Sequence, residues 1–281
     1  MQGIFTALIT PFAKSGKIDY QSLTKLMNEQ ANSQITGIVL FGSTAEEKLL
    51  TKSEKQNILQ MALKILAQKQ IYIGINQISS KAAQKEIKQY NQFAISGFLI
   101  SPPPYLKLNS TEVVNFFTQV AKSTQKNICI YNVPTRTGTN ITISALERLS
   151  KIPNITSIKD ATGNISFAKQ VKTKISNINL LCGNDNLYFK MKKLGASGAV
   201  CVIGNLFPNL FSNIDSKNGK NIWREHSELI KFVSQNQNPS AIKAIMSLCK
   251  NITYKLRDPL SANQQLSSKA IHILSNLQKF S

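Results

Sequence analysis

The sequence predicts an α/β fold: a (β/α)8 TIM barrel over residues 1–220, followed by a helical C-terminal extension over 221–281. Three observations carry this expectation. Short β-rich runs recur at roughly even intervals, and most are continuous apolar strings, as parallel strands covered on their outer face require. Stretches of helical period lie between them. No G-x-G-x-x-G follows the first strand and no Walker-type loop occurs, which argues against a doubly wound open sheet.

Taken in order, the first run is Ile4–Thr10, and Asp19 is placed to cap a helix carrying Leu23, Leu26 and Met27. Gly37–Phe41 follows. Thr51-Lys52-Ser53-Glu54 then has capping-box spacing ahead of Ile58, Met61, Ala62 and Ile65 on one face. Ile71–Ile75 and Gly97–Ser101 come next, and Asn109 with Glu112 opens a helix carrying Val113, Phe116, Phe117 and Val120. Ile128–Asn132, Thr156–Lys159, Asn179–Cys182 and Ser197–Ile203 complete the strand set. From Asn221 onward no convincing strand occurs, and no linker rich in Pro, Gly or Ser divides the chain.

Composition narrows the function classes. The 281 residues are 42% hydrophobic, which is globular rather than disordered despite a formal charge of +20. Such a charge raises nucleic acid or an anionic membrane as a partner. The cations are nearly all lysine, dispersed along the chain, and the arginines are Arg136, Arg148, Arg224 and Arg257. Clustered arginine and aromatic stacking platforms are missing, so no nucleic-acid partner is expected; a polyanion-binding barrel without catalysis is the rival class. The apolar stretches are too short to span a bilayer, and the first residues lack a basic n-region, a long h-region and a small-residue cleavage site. A cytoplasmic protein with no membrane partner is expected. Cys129, Cys182, Cys201 and Cys249 show no C-x-x-C spacing and read as buried free thiols, while His226 and His272 form no ligand set. No metal is expected.

In a parallel barrel the active site gathers at the carboxyl ends of the strands, so reactive residue types should follow the apolar runs. They do. Gly42-Ser43-Thr44 follows the second run and offers hydroxyls and backbone N–H groups to a small carboxylate, or merely a capped turn. The fourth leads into Ser101-Pro102-Pro103-Pro104-Tyr105, and the fifth ends in Tyr131-Asn132, where the tyrosine could relay a proton or simply pack. Arg136 lies in the next loop, suited to bidentate contact with a carboxylate or to the open surface. The sixth run ends in Lys159-Asp160. An amine there either points outward or is desolvated, and a desolvated amine favours the neutral, nucleophilic form that makes Schiff bases with carbonyl substrates.

The strings G-S-T-A-E at Gly42–Glu46, Y-N-V-P-T-R-T-G at Tyr131–Gly138 and I-K-D-A-T-G-N at Ile158–Asn164 resemble the dihydrodipicolinate synthase / N-acetylneuraminate lyase superfamily, the class I pyruvate-dependent aldolase barrels. The likeness runs from Ile4-Phe5-Thr6 through Arg257-Asp258-Pro259-Leu260. It implies that Lys159 forms the pyruvate Schiff base and that Tyr131 shuttles protons with Ser43 and Tyr105. Thr44 would hold the pyruvate carboxylate, with Gly183 and Ile203 lining the pocket. Ser43 stands where the synthases have threonine, and Ala45 where glycine is usual. Ungapped counting places Tyr105 on a relay tyrosine that the family supplies across a subunit interface. Arg136 matches the arginine that binds the carboxylate of aspartate semialdehyde. The resemblance therefore implies condensation of pyruvate with L-aspartate 4-semialdehyde in lysine and diaminopimelate biosynthesis. Cleavage of a 2-keto-3-deoxy sugar acid or N-acetylneuraminate is the alternative. No cofactor is implied, and the implied assembly is a homotetramer, a dimer of dimers. Members of that family that show lysine feedback bind it near the second βα loop, where this sequence carries Lys52 and Lys55; the resemblance therefore implies little or no feedback, because like charges repel.

Overall fold

The computed structural model describes residues 1–214 and 216–277, the last two without their side chains; positions 278–281 of the expected extension lie outside them. Eight parallel strands close into a barrel in sequence order: β1 (Gly3–Ala7), β2 (Gly37–Leu40), β3 (Gln70–Ile75), β4 (Gly97–Ile100), β5 (Asn127–Asn132), β6 (Ile155–Asp160), β7 (Asn179–Cys182) and β8 (Gly198–Cys201). The expected barrel is thus the observed one. The first and last strands are shorter than the apolar runs. After β1, Leu8 still donates to the Val39 carbonyl at 3.1 Å, while the chain after β8 curls into a 3-10 turn at Ile203–Asn205.

The chain divides into two compact units, Met1–Ile4 with Gln70–Val200, and Phe5–Lys69 with Cys201 onward. In the first unit, β4 to β7 are inner strands with long parallel ladders, and β5 and β6 are aligned from Cys129↔Ser157 to Asn132↔Asp160. Their residues are almost wholly buried, as the continuous apolar strings require. Gly97 has a packing reason. A Cβ there would lie 2.1 Å from the Asn127 carbonyl oxygen and 2.7 Å from the buried Tyr72 ring. Helices Ser80–Tyr90, Ser110–Ala121, Ile143–Leu149 and Ile165–Lys174 belong to this unit. The Asn109–Glu112 capping box forms in both directions, at 3.0 and 2.8 Å, and Val113, Phe116, Phe117 and Val120 are buried.

In the second unit, β1 and β2 pair from Phe5↔Gly37 to Ala7↔Val39. Asp19 caps helix Tyr20–Ala31 through the Ser22 N–H at 3.0 Å, and Leu23, Leu26 and Met27 are buried. Thr51 and Glu54 form the expected capping box before Lys52–Ile65. Its buried stripe is Ile58, Leu59 and Ala62, with Met61 and Ile65 only half-buried, so the core-facing seam lies slightly off the expected one. The extension supplies helices Gly219–Glu225, Ser227–Gln235, Ser240–Cys249 and Gln264–Leu277. Cys129, Cys182 and Cys201 are buried free thiols, but Cys249 is exposed, contrary to expectation. The buried run of its helix spans Ser240–Met246 and ends before Leu248 and Cys249 turn outward. No helix among the described residues is long and apolar enough to cross a membrane.

Candidate active site

Lys159 and Tyr131 are direct neighbours in the β5–β6 ladder. Parallel register sends paired residues to the same side of the sheet. The Lys159 Nζ accordingly stands 4.1 Å from the centre of the Tyr131 ring, with the two residues only 6% and 9% exposed. A buried ammonium loses its hydration, and the ring face returns only part of it. Among the described residues Lys159 makes no ion pair.

Gly183 makes room for this amine. A Cβ on Gly183 would meet the Lys159 Cε at 3.0 Å, the Asp160 carbonyl oxygen at 2.9 Å and the Ala161 Cβ at 2.9 Å. Its N–H donates to the Asp160 carbonyl at 2.8 Å. The Asp160 side chain is buried and accepts from Thr162 N at 3.1 Å and Thr162 Oγ1 at 3.2 Å. Burial pushes its carboxyl up to about 6, against the pull of those two hydrogen bonds. Burial also pushes the Cys182 thiol up to about 12, which removes it as a competing nucleophile.

Arg136 is exposed on a one-turn helix, Pro134–Thr137, that starts on proline and stops at Gly138 with φ +71°. This loop braces the proline-rich one. Thr139 Oγ1 accepts from the Leu108 N–H at 2.9 Å, and a Cβ on Gly138 would press on Lys107 at 3.0 Å. Tyr105 and Lys107 both have positive φ, +78° and +48°, and Tyr105 is 88% exposed. Within this chain Tyr105 is therefore held outward, not folded onto Tyr131.

In the second unit, Ser43–Ala45 forms a 3-10 turn directly after β2. Ser43 is half-buried and Thr44 is buried, its Oγ1 accepting from Asn238 Nδ2 at 3.0 Å. Ala45 fits without positive φ; the left-handed residue is Glu46, at φ +54°. Alanine in place of glycine therefore meets no backbone barrier. The buried Glu46 carboxylate accepts from Lys243 Nζ at 2.5 Å and from the Arg257 N–H at 3.0 Å. Arg257 in turn grips Glu54 through both terminal nitrogens and donates to the carbonyls of Gly16 and Leu49. Ile203 is fully buried in its turn, and the next residues are fixed by Asn205, which bonds Ile9 N, Ala7 O and Val202 O. Lys55 is paired with Glu47 at 3.0 Å, so its charge is offset locally; Lys52 is exposed. No group of three or more His, Cys, Asp and Glu side chains converges on a metal position among the described residues.

The sequence matches the Dihydrodipicolinate synthetase family over residues 1–276. The chain belongs to that family. It is 31% identical over 270 residues to the 4-hydroxy-tetrahydrodipicolinate synthase of Phocaeicola vulgatus, covering 92% of this chain and 91% of that one. Against the synthase of the same name from Protochlamydia amoebophila it is 32% identical, covering 99% and 97%. Among solved structures, the 4-hydroxy-tetrahydrodipicolinate synthase of Methylacidiphilum fumariolicum superposes with a TM-score of 0.94 at 28% identity, over 99% of this chain and 96% of that one. The dihydrodipicolinate synthase of Thermotoga maritima gives 0.92 at 25%, over 99% of each.

For a member of the dihydrodipicolinate synthetase family, the first unit holds Lys159, Tyr131, Gly183, Arg136 and Tyr105, and the second holds Ser43, Thr44 and Ile203. Lys159, Tyr131 and Gly183 are brought together, and Arg136 and Tyr105 share a braced pair of loops. Sequence reasoning missed Asp160 as a buried carboxyl, Thr139 as the brace, and Asn238 and Lys243 as partners of the Thr44 turn. Asp160 sat in the quoted I-K-D string, but Lys243 carries no local signal in so lysine-rich a chain.

Proposed function

We propose that the protein is a class I aldolase-type lyase that condenses pyruvate with L-aspartate 4-semialdehyde to 4-hydroxy-tetrahydrodipicolinate. The observation that carries this reading is the buried Lys159 amine, without an ion-pair partner among the described residues, over the Tyr131 ring. Family membership supports it. Lys159 Nζ attacks C2 of pyruvate, and loss of the ketone oxygen as water leaves an imine. Loss of a proton from C3 gives the enamine, whose carbon bonds to the aldehyde carbon of the semialdehyde. The amino group of that substrate then displaces Lys159 from C2, closing the ring and freeing the amine for the next cycle.

In this scheme Tyr131, Ser43 and Tyr105 move the protons, with Tyr105 entering the site of a neighbouring subunit in a homotetramer built as a dimer of dimers. The outward Tyr105 supports that placement. Thr44 holds the pyruvate carboxylate, Arg136 the carboxylate of the semialdehyde, and Gly183 and Ile203 line the pyruvate pocket. The reaction needs no metal or organic cofactor, and a biosynthetic lyase of this kind belongs in the cytoplasm, in lysine and diaminopimelate synthesis. Glu47 offsets part of the Lys55 charge, but Lys52 and Lys55 still place cations near the second βα loop, and little or no feedback inhibition by lysine is expected.

Reduction with borohydride in the presence of pyruvate tests the scheme. A pyruvyl adduct is expected on the peptide containing Lys159, and an adduct elsewhere overturns the mechanism. R136A should raise the KM for aspartate semialdehyde by about 10- to 100-fold, the cost of a lost charge-assisted pair. Faster turnover of N-acetylneuraminate or 2-keto-3-deoxygluconate than of the semialdehyde would instead select the sugar-acid reading.

A further inference from the structure

We propose that Asn238, in the C-terminal extension, is a positioning residue for pyruvate: it donates to the Thr44 hydroxyl and so directs the hydroxyl hydrogen toward the substrate carboxylate. A threonine hydroxyl has one hydrogen to give and two lone pairs to receive. Asn238 Nδ2 occupies a lone pair of Thr44 Oγ1 at 3.0 Å, so the oxygen acts there as acceptor and its hydrogen is kept for another partner. A carboxylate can only accept. An unrestrained hydroxyl rotates freely and must be ordered when substrate binds; this one is set in advance.

The turn that carries Thr44 is fixed from several sides. Thr10 Oγ1 donates to the Ala45 carbonyl at 2.9 Å, and Glu46 N–H returns to the Ser43 carbonyl at 3.2 Å. Glu46, left-handed, is anchored by Lys243, which also donates to the Lys255 carbonyl at 3.0 Å and lies 4.3 Å from the Phe12 ring centre. Asn238 and Lys243 flank the start of helix Ser240–Cys249, so one stretch of the extension sets both the hydroxyl and the backbone of the turn. The extension thereby acts on substrate affinity and not on stability alone.

This inference rests on the reading that Lys159 binds pyruvate as an imine. The test measures pyruvate saturation of borohydride trapping and of turnover in four variants: N238D, N238A, T44V and T44V/N238A. N238D is isosteric, so it folds, but its carboxylate accepts from Thr44 and reverses the direction of the bond. It should raise the half-saturating pyruvate concentration about tenfold or more, with kcat changed less than about twofold. N238A and T44V should each raise it about fivefold, and the double variant should be no worse than T44V alone, because the asparagine acts through that hydroxyl. A defect outside the carboxylate contact would lower kcat as well and would add to T44V. Unchanged pyruvate saturation in N238D, or additive losses in the double variant, overturns the inference while normal wild-type trapping leaves the Lys159 reading standing. Absence of a wild-type adduct at Lys159 overturns both.

Discussion

Two lysines among the described residues are buried, Lys159 at 6% exposure and Lys243 at 0%, and both stand over an aromatic ring at 4.1 and 4.3 Å. They differ in one respect. Lys243 has the Glu46 carboxylate and the Lys255 carbonyl as further partners, whereas Lys159 has no ion pair among the described residues. Burial pushes the Lys243 amine down to about 8, with the Glu46 charge opposing that fall. A paired amine keeps its proton and holds a loop in place. Burial alone therefore does not separate the two amines; the absence of a carboxylate partner among the described residues is what makes Lys159 the candidate for attack on a carbonyl carbon.

Substitution of each lysine by methionine breaks the comparison if the two respond alike. K159M should abolish borohydride trapping and lower turnover by roughly 10⁴-fold or more, while its urea midpoint stays level or rises, since an apolar chain replaces a costly buried amine. K243M leaves Glu46 as an uncompensated buried charge and should cost about 3–5 kcal/mol in urea unfolding. Restoring neutrality with E46Q/K243M should recover most of that loss.

A smaller effect separates the carboxyls of the two units. Arg257 hydrogen-bonds Glu54 and holds its carboxyl down at about 2. The stability this contributes is fully present above pH about 4.5 and is lost as pH falls toward 2. E54Q should therefore cost about 1–3 kcal/mol at neutral pH and progressively less through that acid window, read from urea midpoints. Asp160 behaves in the opposite sense and should have the smallest effect. With its carboxyl pushed up to about 6, the folded chain holds a proton that the unfolded chain releases between about pH 3.8 and 6. Its contribution therefore falls as pH rises through that window, and D160N should remove the slope, roughly 1–2 kcal/mol in size. Equal pH profiles for wild type and D160N would mean that Asp160 is not desolvated as drawn.

The barrel was legible because parallel inner strands must be apolar on both faces, and few other architectures produce apolar strings at this spacing. Candidate residues at the strand ends stood out for a related reason: Lys159 and Tyr131 are polar side chains at the ends of such strings, where a parallel barrel gathers its site. The capping boxes at Thr51 and Asn109 are local and were readable in full. The helical face at Met61 and Ile65 was placed a little too wide, because the stripe that is buried depends on what packs against it.

The residue sequence by itself determined the strand count and the helix starts at Asp19, Thr51 and Asn109, since these depend on neighbours within a few positions. Only the tertiary structure decided which lysines are buried, and which of those two has no ion pair among the described residues. Lys243 and Glu46 are 197 positions apart, as Asn238 and Thr44 are 194 apart, and no local pattern announces a pairing across such a span. The register of β5 against β6 likewise belongs to the folded sheet, and it is what sets Lys159 beside Tyr131. Desolvation and partnership are properties of what surrounds a side chain, and that surrounding exists only once distant segments have met.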